Sequence, residues 1–190
     1  PKEYNFNIFS VWIGKRTDME RTEALEKLIS AFEAYYDIKR ETQEPFVAEA
    51  EFSLHDEQYF LIKSAQISEV DTKEFVYFAS VETLDTETLA GLDAAAWERG
   101  IAKVQPHADH RNSDVILYIL ADKIEPEALT QIKKLRHYKS YRHGFHGWSH
   151  YRLAVIELSS GKTASNRQGR DQEKLVNNII QSTKEGSSKK

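Results

Sequence analysis

The stretch Asp114-Val115-Ile116-Leu117-Tyr118-Ile119-Leu120-Ala121 decides the fold, because a nearly unbroken apolar run of this length is the pattern of a strand covered on both faces. Such a strand is central to its sheet. Residues Tyr151 to Leu158 repeat the pattern. Between the two runs, Pro126 stands where a helix would open, and Leu129, Ile132 and Leu135 recur at helical spacing. The unit therefore reads as strand, helix, strand, with parallel strands joined by a right-handed crossover.

Working outward, three β-rich runs lie near 46–54, 58–67 and 74–81, separated by the turn-like His55-Asp56-Glu57 and by Glu69 to Lys73. Connections this short predict an antiparallel meander. Before them, Thr17-x-x-Glu20 is a capping box, and Leu25, Leu28, Ile29, Phe32 and Tyr36 predict an amphipathic helix over about 18–40, which Pro45 stops. After them, Leu84 and Leu89 bracket Asp85 as a hydrophobic staple and open a second helix that runs to about Val104, weakened by Gly91 and Gly100. A last helix near 168–182 offers Leu175, Val176, Ile179 and Ile180 to the core, and residues 186–190 read as a disordered tail. The expected fold is α+β: a single domain over 1–185 whose mixed sheet joins a three-strand antiparallel meander to one parallel β-α-β unit, packed with helices.

Composition narrows the function. A chain of 190 residues, 40% hydrophobic, suits one domain with a real core. It holds no cysteine, which removes disulfides and thiolate-bound metals and makes a cytoplasmic protein the expectation. The apolar run Phe6 to Ile13 is too short to span a bilayer and lacks the flanks of a signal peptide, so no membrane partner is expected.

Charge is strongly segregated. Residues 1–100 hold 10 basic and 21 acidic side chains, a balance of −11, and residues 101–190 hold 16 and 9, a balance of +7; together they make the chain's −4. This asymmetry can steer an anionic partner to the C-terminal half, and it makes head-to-tail homo-oligomers a further expectation.

The densest cationic stretch, from Gln131 to Ile156, contains no carboxylate. Lys133, Arg136, Lys139, Arg142 and Arg152, with Lys134 beside them, are placed to neutralise phosphates, and Tyr138, Tyr141, Phe145, Trp148 and Tyr151 to stack on unpaired bases. The binding set is Lys133, Arg136, Lys139, Tyr141, Arg142, Trp148 and Arg152, and the expected partner is nucleic acid or another anion. A competing account gives the cations to a helix C-terminus and the aromatics to the core.

Histidines suggest a second use of the region. His107 and His110 precede the first buried strand, and His143, His146 and His150 precede the second. Parallel neighbours start at one edge, so these five imidazoles should gather at one pole, where three convergent ones, with or without the Asp109 carboxylate, could bind zinc or nickel, metals that nitrogen ligands suit. That arrangement would make the chain a metal-dependent hydrolase. The order helix, three strands, helix, strand also resembles the core of restriction-endonuclease-like nucleases, which implies an acid-x-Lys on a strand. Asp71-x-Lys73 falls instead in a predicted turn, and no catalytic residue is carried over. Ser159-Ser160-Gly161-Lys162-Thr163 lacks the first glycine of a phosphate-binding loop and reads as a turn. A non-enzymatic binding module is preferred, with the metal-dependent enzyme as its alternative.

Overall fold

The computed structural model describes residues 21–52, 71–108 and 110–181. Residues 21–30 are helical (α1) and are followed by β1 (Tyr36–Lys39), β2 (Ala48–Phe52) and β3 (Asp71–Leu84). The chain continues through α2 (Thr86–Lys103), β4 (His110–Ile124), α3 (Pro126–Ile132), β5 (Tyr138–Ser140), β6 (Trp148–Glu157), β7 (Lys162–Ser165) and α4 (Arg170–Gln181). All seven strands form one mixed sheet in the order β1-β2-β3-β4-β6-β5, with β7 also paired to β6.

β4 lies at the centre because it is apolar toward both faces: Val115 to Ala121 are essentially inaccessible to solvent. Val115, Leu117 and Ile119 pack with Leu89, Leu92 and Ala96 of α2 and with Ala128 and Ile132 of α3. Ile116, Tyr118 and Leu120 pack with Leu28, Ile29 and Phe32 near α1 and with Val176 of α4. Each fully buried side chain of this kind contributes about 1.5–3 kcal/mol, so a strand buried on both faces is the strongest organiser in the chain. As expected, β4 and β6 run parallel, from Asn112↔Trp148 to Ala121↔Glu157.

α2 begins where the staple predicts. Asp85 caps it by accepting the Thr88 N–H at 2.7 Å, and Leu84 and Leu89 are both buried. The Thr88 N–H also holds the Asp85 carboxyl below the usual carboxylate range.

Several expectations need correcting. β3 and β4 are also parallel, joined through α2, so the sheet holds two crossovers rather than one. The three-strand antiparallel run is β1-β2-β3, and its outer strand is Tyr36–Lys39, which the sequence assigns to the end of a helix; β5 and β7 add short antiparallel pairs to β6. Tyr36 and Ile38 turn inward while Asp37 and Lys39 turn outward, and pairing to β2 rewards that alternation. Asp71 to Lys73 belong to β3 rather than a turn. Leu175 is exposed on α4, whereas Val176 is buried. The capping box at Thr17, the run 58–67, Asp109 and the tail at 186–190 lie outside the described residues. Among those described, no helix is long and apolar enough to cross a membrane.

Candidate functional site

β6 has an outer edge that is covered in pieces. β5 pairs with Trp148 to His150, and β7 pairs with Ala154 to Glu157. The cationic stretch winds along this edge from the end of α3 to the start of β6.

Its course is fixed by buried anchors. His137 Nε2 lies 2.8 Å from Asp93 Oδ2 of α2, and its ring stacks on Trp97 at 5.1 Å. Beyond β5 the chain makes a tight reversal in which Arg142 (φ 46°), His143 (φ 56°) and Gly144 (φ 93°) are all left-handed. For the two non-glycine residues this conformation costs roughly 1–3 kcal/mol each. Opposing bonds hold it: Tyr141 N–H donates to Gly147 O, Gly144 N–H and His146 N–H donate to Tyr141 O, and Tyr141 Oη and Ser149 Oγ are 3.0 Å apart. Gly147 (φ 75°) closes the turn so near the Arg111 carbonyl that a Cβ there would collide with it.

His110 is a further clamp on this turn. Its Nδ1 lies 2.7 Å from His146 O, and because a carbonyl only accepts, Nδ1 carries the proton. Its Nε2 meets Ser113 Oγ at 2.8 Å. Both nitrogens of this buried ring are therefore committed to the fold. His107 lies 6.1 Å from it ring to ring, His143 is exposed on the turn, His146 is half-buried, and His150 packs on Tyr138 at 5.3 Å. The two buried strands do start side by side, as expected. Even so, among the described residues no group of three or more His, Asp or Glu is placed to hold a metal ion. Three convergent imidazoles for zinc or nickel are not found among the described residues, because His110 is turned inward and His150 is laid against Tyr138.

The binding set divides. Phe145, Tyr138 and Trp148 are exposed by 83%, 53% and 37%, whereas Tyr141 and Tyr151 are buried and unavailable for stacking. Burial pushes the Tyr151 hydroxyl well above its usual pKa, so it stays neutral. Tyr138, Trp148 and His150 share one face of the edge, since Tyr138 pairs with His150 and Ser140 with Trp148. Lys139 lies on the opposite face, its ammonium 5.4 Å from the Tyr141 ring centre, and Arg142 is exposed on the turn between them. Arg152 leaves the set: it pairs at 2.5 Å with Asp114, whose side chain is only 2% exposed.

Lys133 and Arg136 point to a different surface. Lys133, Lys134, Arg136 and Arg167 line a hollow of about 390 Å3. Lys133 and Arg167 also border a larger groove of about 1200 Å3 between α3 and α4, floored by β7, where Lys162, Arg170 and Lys174 join them. Lys162 belongs to the Ser159 to Thr163 segment weighed as a phosphate-binding loop and read as a turn; Arg167 and Arg170 escape the sequence reading because Glu157 interrupts the carboxylate-free stretch before them, and only the positive balance of residues 101–190 includes them.

Residues 20–178 match the family described as "Domain of unknown function (DUF8052)", a span that takes in every strand of the sheet. No curated protein and no solved structure matches the chain.

Proposed function

The chain belongs to the DUF8052 family, and from that premise we propose that it is a non-enzymatic binding module of the cytoplasm that holds an anionic partner such as a nucleic-acid strand at the outer edge of β6. One observation carries the reading. Of the six large hydrophobic residues exposed among those described, Tyr138, Phe145 and Trp148 all fall within the carboxylate-free stretch. Exposed rings beside unpaired cations are the means by which proteins take unpaired bases: the rings stack, and Lys139 and Arg142 meet the phosphates. The left-handed Arg142 and His143 support it too, since strain held in place by surrounding bonds clusters at ligand contacts.

The test is fluorescence anisotropy with a labelled single-stranded oligonucleotide across a salt series. Saturable binding that weakens with salt and falls in the paired variant Lys139→Ala with Arg142→Ala is expected. Binding unchanged in that variant would overturn the reading.

A further inference from the structure

The groove between α3 and α4 gathers cations that its carboxylates do not take up as ion pairs. By contrast, Arg40 pairs with Glu26 and Glu33, and Lys103 and Arg99 share Glu49. The groove has two carboxylates of its own, and both are occupied by neutral donors. Glu157 accepts the Ile124 N–H at 2.8 Å and the Ser160 hydroxyl. Glu173 accepts the Thr163 hydroxyl at 3.0 Å and the Ser165 hydroxyl. Lys133, Arg167 and Arg170 consequently border the groove with no ion-paired carboxylate among the described residues, and Lys162 stands opposite Glu157 in the β6–β7 pairing without a direct ion pair.

The cations outnumber the two carboxylates around this concavity, so a net positive field remains, and the low-dielectric walls focus it into the groove. An anion relieves that repulsion. The opposite wall is different in kind: Ile124, Pro126 and Leu129 present an apolar surface. A groove of about 1200 Å3 is far larger than a bare phosphate ion and has room for a whole small ligand, whose pockets span about 300–1,000 Å3.

We propose that this groove binds a small molecule carrying two or more phosphates on an apolar or planar body. The phosphates lie on Lys162, Arg167 and Arg170, with Lys133 across from them, and the body rests against Pro126 and Leu129. The site is separate from the edge at Tyr138, Phe145 and Trp148 and does not depend on what binds there.

The full chain is titrated with the fluorescent nucleotide MANT-ADP and, separately, with inorganic pyrophosphate. Saturable MANT-ADP binding is expected, with pyrophosphate competing but weaker. Arg167→Gln combined with Arg170→Gln should weaken MANT-ADP by about tenfold or more without changing the melting temperature, because both side chains are exposed and unpaired. Leu129→Asp should weaken MANT-ADP more than pyrophosphate, and Arg142→Ala should leave both unchanged. Failure of the wild-type chain to bind either probe, or equal binding by the double variant, overturns the proposal. So does a double variant that loses oligonucleotide binding while keeping MANT-ADP, since the groove would then belong to the strand site.

Discussion

Asn166 and Leu153 exchange two hydrogen bonds at the point where the outer edge of β6 has no strand beside it: Asn166 Oδ1 accepts the Leu153 N–H at 3.1 Å, and the Asn166 N–H donates to Leu153 O at 3.2 Å. Oδ1 also accepts the Gly169 N–H, and Nδ2 donates to Tyr151 O and Leu135 O. One buried amide thus fills the gap between β5 and β7 and ties the end of α3 to the sheet. Asn166→Ala leaves several of these buried backbone groups unpaired at about 1–3 kcal/mol each, so a loss of at least about 3 kcal/mol is expected in urea unfolding. A variant within about 1 kcal/mol of wild type would show that water replaces the amide.

Arg152 is expected to affect stability rather than binding. Arg152→Ala strips the buried Asp114 carboxylate of its cation, and Asp114 Oδ1 has no hydrogen-bond partner among the described residues to compensate. Breaking such a pair costs about 3–5 kcal/mol, and replacing both partners with apolar residues restores most of it. Thermal unfolding of the single and double variants measures this. Oligonucleotide affinity at a temperature where Arg152→Ala remains folded should equal that of wild type.

Phe145 is the converse case. It is the most exposed large hydrophobic residue described, so Phe145→Ala should leave the melting temperature unchanged and weaken single-stranded oligonucleotide binding by about 1–3 kcal/mol, the worth of one stacked base. Arg142→Ala should reduce the slope of log K against log salt by about 0.7, as for one lost phosphate contact on a single strand. Anisotropy titrations at several salt concentrations resolve the two effects.

Acidification should loosen the turn after β6 through Glu157. The Ser160 hydroxyl, then the Ile124 N–H, hold its carboxyl below its ordinary value of 4.5. The unfolded chain therefore takes up this proton more readily than the folded one. The stabilisation is complete above the ordinary glutamate value and is lost as pH falls through the lower folded value. Glu157→Gln, which has no such proton to take up, should show a flatter decline of melting temperature between neutral pH and about pH 3.

The parts of the fold legible in the sequence were those whose burial is independent of partners. Val115 to Leu120 are apolar on both faces, and Asp85 with Leu84 and Leu89 specifies a helix start by local chemistry alone. β1 was read as helix because Tyr36 follows Phe32 at helical spacing, which fits the alternation of a strand equally well. β5 and β7 are strands only because β6 lies beside them; Tyr138 to Ser140 are all exposed and carry no periodicity. Gly100 read as a helix weakness, yet a Cβ there would lie 2.5 Å from a Val115 methyl, so it is what lets α2 approach β4. At the candidate site, charge was legible and direction was not. Arg152 sits in a strand covered on both faces, where a cation needs a buried carboxylate, and only the alignment of β4 with β6 shows that Asp114 supplies it.

The amide plug at Asn166 also shapes how this protein behaves among its own copies. β5 and β7 are three and four residues long, and the plug breaks the line between them. That flank therefore lacks an uninterrupted ladder of donors and acceptors on which another polypeptide could lay itself down. Encounters along that flank are confined to side chains, and it does not offer the template for ordered stacking that an open sheet margin presents.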